Sequence, residues 1–130
     1  PNAKHHGSTD VSLGMKNAMG LIRDRRVFHT DHDIHKALAD LTRAIQPQLT
    51  ILDATRALLT NGPSGPGDTV KPGRMVAGRN VVSVDAYGVT LARYGNKAIK
   101  PTDVAHILQA GRAGLGQTDI GKLVVKKVKA

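Results

Sequence analysis

The chain has 130 residues, 40% of them hydrophobic, no cysteine and a formal net charge of +9. That length and apolar content fit one globular domain, and no apolar run approaches the roughly 18 residues that a membrane span needs. The lack of cysteine excludes disulfides, thiolate zinc sites and any cysteine-ligated iron–sulfur cluster within this chain. The basic excess points to an anionic partner: phosphate, nucleic acid or an acidic protein. Phe28, Tyr87 and Tyr94 are the only aromatic residues, too few to build a stacking platform for single strands. The sequence starts at Pro1 rather than Met, so the expectation is a processed or partial product, the C-terminal part of a larger protein.

After a polar entry segment up to Gly7, Val11, Met15, Ala18, Met19 and Ile22 recur at helical spacing, with Asp10 available as N-cap. A basic loop, Arg23 to Arg26, follows. Ile34, Leu38, Leu41 and Ile45 then share one face of a helix that Pro47 ends. Leu49 to Asp53 reads as a buried strand, and Ala54 to Leu59 as a short helix. The Gly- and Pro-rich loop from Asn61 to Gly67 comes next. Arg74 to Gly78 reads as a strand, Val82 to Arg93 as a largely buried helix, Pro101 to Ala113 as an amphipathic helix, and Leu123 to Val128 as a final strand. The alternation predicts a single α/β domain over residues 1–130, layered around a mostly parallel sheet. So few strands make a thin sheet, which a missing N-terminal segment or a partner chain would complete.

Several constellations can carry chemistry. His29, His32 and His35 recur every third residue, and His32 with His35 would share a helix face, a spacing that can bind a divalent metal with Asp31 or Asp33. The alternative is helix-start chemistry, with an Asp as cap and solvated imidazoles. Lys4, His6, Lys16 and Asn17 combine cations and an amide suited to an oxyanion, though each can equally be a surface residue. Asp53 ends the most convincing strand, where ligands of open α/β sheets bind, or it caps the following helix. Asn61 and Gly62 open a loop able to expose N–H groups, but no Gly-Lys-Thr or Gly-Lys-Ser follows, so it is not a P-loop. Asp85 lies in an apolar stretch and must be bonded, either as a cap or facing the same pocket as Asp53. His106 is assigned to the polar side of its helix and given no role.

Four segments in this order resemble the family known as domain of unknown function 362: Lys4-His5-His6-Gly7 with Ser12 to Asn17 and Gly20; Phe28-His29; Asp40-Leu41, Pro47 and Leu49 to Asp53 with Asn61-Gly62-Pro63; and Val84-Asp85-Ala86 with Gly114-Leu115-Gly116. The family has no settled activity. Many members carry a ferredoxin-like iron–sulfur module and others an export signal; this chain is more similar to the export type. The resemblance implies a redox association and an exported or periplasmic site, with a cytoplasmic one as the alternative.

The leading expectation is a pocket protein, an oxidoreductase or a cofactor-linked accessory protein, for a small anionic ligand or metal ion. Lys4, His6, Lys16, Asn17, Asn61 and Gly62 would hold the ligand, and Asp53, His29 and Asp85 would act as acid, base or metal ligands. The rivals are a noncatalytic assembly protein and weak, sequence-independent nucleic-acid binding through the basic surface.

Overall fold

Helices pack on a five-stranded mixed sheet in the computed structural model, which describes residues 1–30 and 33–129. β1 (Asn2–His6) and β2 (Asp10–Ser12) form an antiparallel hairpin with His6 opposite Asp10. α1 (Gly14–Asn17) continues as a 3-10 turn to Leu21, and α2 (Val27–Thr30) leads towards α3 (Ile34–Ile45). β3 (Thr50–Leu58) is the central strand. It pairs parallel with β1 along one edge and antiparallel with β4 (Thr69–Val70) and β5 (Arg74–Gly78) along the other. α4 (Val81–Val89) lies on β3 and β5, and α5 (Ala105–Arg112) packs against α3.

The local causes are plain. Asp33 caps α3 by accepting from the amides of His35 and Lys36. Gln46 closes the helix in a left-handed conformation, φ 41°, and Pro47 prevents its continuation. Along β3, Thr50, Leu52 and Ala54 are buried while Ile51 and Thr55 are exposed, so one sheet face meets the helices and the other is open. Leu13, Met15, Leu52, Val82, Val89 and Ile107 form the centre of the core.

One contact fixes α1 to the rest. Its N-cap position, Leu13, offers no side-chain cap. The cap comes instead from Asp85 of α4, fully buried, whose two oxygens accept from the amides of Gly14 at 2.7 Å and Met15 at 2.8 Å. A Cβ on Gly14 would sit 2.8 Å from both Asp85 Oδ1 and Val81 Cγ2, so glycine is required for this approach. Burial pushes the Asp85 carboxyl up to about 7, against the pull of the Met15 and Gly14 amides.

The α/β class matches the sequence reading, and α3, β5, α4 and α5 lie where the patterns predict them. The sheet, however, is mixed: only β1 and β3 run parallel. Residues 11–22 do not form one helix capped by Asp10. Asp10 turns the hairpin with φ 60°, and Val11 to Lys16 are all buried, so their spacing carries no helical stripe. Ala54 to Leu58 is strand rather than helix; pairing with β1 and β4 overrides the helix preference of Ala, Arg and Leu. Asp53 is therefore in mid-strand. Leu123 to Val128 makes no strand and follows a short 3-10 turn, Ile120–Lys122.

Gly14→Ala and Asp85→Asn should each cost about 2–3 kcal/mol in urea denaturation, the first by overpacking and the second by setting an amide against two N–H donors. Loss of less than a few tenths of a kcal/mol in both would show that the contact does not hold α1.

Candidate functional site

The Asp85 clamp carries the next residue, Lys16, into the protein. Lys16 is only 8% exposed, and its ammonium is within 3.1 Å of Met19 Sδ; it forms no ion pair among the described residues. Basic groups surround it. Lys4 and His6 project from the same side of β1, Arg25 comes from the loop after the 3-10 turn, and His29 of α2 stacks on His6 with ring centroids 6.3 Å apart. Asp10, opposite His6 in the hairpin, is exposed and makes no ion pair among the described residues.

Below this cluster lies a second imidazole pair. His35 of α3 stacks on His106 of α5 at 5.9 Å, and His106 is completely buried. Both ring nitrogens of His106, Nδ1 of His35 and Oγ1 of Thr42 are buried without a hydrogen-bond partner among the described residues. The lower pair feels the charges of the upper cluster. Burial, the Lys16 ammonium and His29 push His6 down to about 4. Burial, His35, Lys16 and His6 push His106 down to about 3. Burial and the Lys4 and Arg25 charges lower Lys16, and burial and Lys16 lower His29. Burial and neighbouring positive charge therefore keep His6, Lys16, His29 and His106 short of protons, and none of them forms an ion pair with a carboxylate among the described residues.

The tautomer of His6 follows from its neighbour. The amide of Ser8 donates to His6 Nδ1 at 3.3 Å, which leaves the proton of the neutral ring on Nε2. Neutral His6 thus presents an N–H donor, and Lys16 an ammonium, to whatever enters.

Residues 1–90 match the family described as Domain of unknown function (DUF362). The chain belongs to this family. No curated protein and no solved structure matches it. The DUF362 match covers β1 through α4, hence Lys4, His6, Lys16, His29, His35 and the Asp85 clamp; His106 lies beyond it.

Of the residues singled out in the sequence, the DUF362 fold brings Lys4, His6, Lys16 and His29 together. Asn17 is exposed at the end of α1 with no side-chain bond in its cap position. Asp53 is held by Thr55, whose amide and hydroxyl donate to Oδ1 at 2.9 and 2.7 Å and keep the carboxyl below its usual range. These bonds come from two residues further along the same strand, and none comes from the basic cluster. Asp85 supports the cluster from beneath through α1. Asn61 and Gly62 pack on β1: Gly62 donates its amide to His5 Nδ1 at 3.1 Å, and Asn61 donates to the Pro66 carbonyl. A Cβ on Gly62 would overlap the His5 carbonyl at 1.8 Å, so this glycine serves close packing.

The His29–His32–His35 set divides. His29 goes to His6 and His35 to His106, while His32 and Asp31 lie outside the described residues. Among the described residues no three His, Asp or Glu side chains gather as metal ligands would. His106 is the buried imidazole that the sequence reading passed over. Its place between Ala105 and Ile107 in an apolar run was the available signal.

The histidines set a pH dependence. Between about pH 4 and 6.5 the unfolded chain binds protons on His6 and His106 that the native fold refuses, so each adds a rise of stability with pH of up to about 1.4 kcal/mol per unit. Asp85 acts the other way, since the native fold keeps its proton up to about 7 and the unfolded chain does not. His6 and His106 outweigh Asp85, and His29, also lowered, adds to the rise. Urea titrations across this range should show that rise, and His106→Phe should flatten it; an unchanged slope in the variant would place His106 in contact with water.

Proposed function

We propose that this chain binds a small oxyanion, a carboxylate or a phosphate group, in the basic cluster of Lys4, His6, Lys16 and His29. The observation that carries the reading is the buried Lys16 ammonium with no carboxylate partner among the described residues. An unpaired buried ammonium costs several kcal/mol, a cost that an entering anion offsets. The anion would accept from Lys16 Nζ and His6 Nε2–H, with Lys4 and Arg25 adding attraction from the rim. His29, exposed at the edge and stacked on His6, is the group placed to exchange a proton with the ligand. His106 lies under the site and gains stabilisation for its protonated form once an anion is present. Anion affinity should then increase as pH falls, with proton uptake on binding. The reading assigns an anion site and no redox step.

The decisive variant is Lys16→Met, which keeps the shape of the side chain and removes its charge. It should weaken binding of inorganic phosphate by at least about tenfold in calorimetric titration, the loss expected for one charged hydrogen bond. It should also raise stability in urea by about 1–3 kcal/mol, because the buried charge is gone. A variant that melts lower and binds phosphate as before would make Lys16 a structural residue and end the proposal.

A further inference from the structure

One cleft is far from this chemistry in character. It has a volume of about 650 Å³ and none of the basic cluster lines it. Its position is set by the edge of the sheet. β5 is bonded to β3 along one edge, and along the other Arg74 to Gly78 has no backbone partner among the described residues. Such an edge presents a row of free N–H and C=O groups. Tyr87 of α4 and Leu91 of the turn after it, both half-buried, line the cleft beside β5. That is the place a further strand would occupy, with its backbone on β5 and its inner side chains on α4.

The charges define what fits. Arg74 and Arg79 stand on the β5 side and Lys126 and Lys127 on the opposite wall, while no lining residue is acidic. The opposite wall is the irregular stretch Leu123 to Val128, in which Val124 and Val128 are exposed. This stretch has the composition of a strand and is the obvious rival for the edge. Pairing it with β5 would bring Lys126 and Lys127 towards Arg74 and Arg79 with nothing to neutralise them, which disfavours it.

We propose that the free edge of β5 receives an extended acidic segment of another protein, added as a strand between Arg74–Gly78 and the C-terminal stretch. Main-chain bonds to β5 would hold it, alternate apolar side chains would lie on Tyr87 and Leu91, and its carboxylates would meet the two basic walls. This site is independent of the anion cluster and does not rest on it.

The test uses a fluorescent heptapeptide of alternating valine and glutamate with the full chain, read by anisotropy and by hydrogen exchange at the Arg74–Gly78 amides. Saturable binding with new protection of those amides is expected. N-methylation of alternate peptide amides should weaken it about tenfold, the effect of one or two lost hydrogen bonds, and so should the double variant Arg74→Glu, Lys127→Glu. Equal binding of the N-methylated peptide would mean charge attraction alone and would overturn the proposal, as would absence of binding. Protection of the Arg74–Gly78 amides without peptide, abolished by Val125→Pro, would show that the chain's own C-terminal stretch takes the edge, and would overturn it as well.

Discussion

The carboxylate of Asp85 is the contact on which the arrangement depends. It reaches from the middle of α4 to the first two amides of α1, 2.7 and 2.8 Å away, through a gap that only glycine leaves open. α1 is a single turn and could not hold its own geometry; short helices are marginal without outside support. Clamped in this way, it delivers Met15 to the core and Lys16 to the boundary between the core and β1. The clamp is therefore both a structural device and the reason that a lysine is where an apolar residue would be more stable.

Around that lysine the fold gathers bases and withholds acids. Ion pairs among the described residues, such as Lys36 with Asp40 and Lys122 with Asp119, are all on the surface, where they contribute little. Inside, burial and the Lys16 ammonium depress the protonation of His6 and His106, and burial with Lys4 and Arg25 depresses that of Lys16. Asp85 adds two hydrogen bonds to the fold, whereas Lys16 is buried without a counter-charge among the described residues, a cost that the proposed anion site would account for. Such local cost is common where a protein must bind rather than merely persist. The open edge of β5 is a second departure from self-sufficiency, of a different kind: there the deficit is in backbone partners rather than in counter-charge.

Much of this was legible in the residues, for identifiable reasons. α3 carries a clean apolar stripe with Asp33 before it and Pro47 after it, so its bounds were readable. Lys4, His6, Lys16 and His29 could be selected by chemistry. Asp85 in an apolar run was bound to need hydrogen bonds. Its partners, about seventy residues earlier by the spacing of Gly14 and Asp85, could not be read, because no local rule links an aspartate in one helix to the amides of another. Residues 11–16 are buried on every side, which erases the periodicity that separates strand from turn. Ala54 to Leu58 has helical preferences that the β1 and β4 ladders override. Asp53 was misplaced with it: an edge residue on the sequence reading, it is a mid-strand residue bonded to Thr55. His106 looked solvated because helix faces are assigned from average polarity, and a single imidazole opposite His35 does not change that average.

The central claim is that Lys16 is a buried ammonium awaiting an anion, and the titration of its own side chain tests it most directly. With carbon-13 in the lysine ε-methylenes, Lys16 should be resolved from the surface lysines by NMR and should lose its proton at lower pH than they do. Saturating inorganic phosphate should then move its titration back upward, leaving the other lysines unchanged. A Lys16 that titrates with the surface lysines and ignores phosphate would contradict the account.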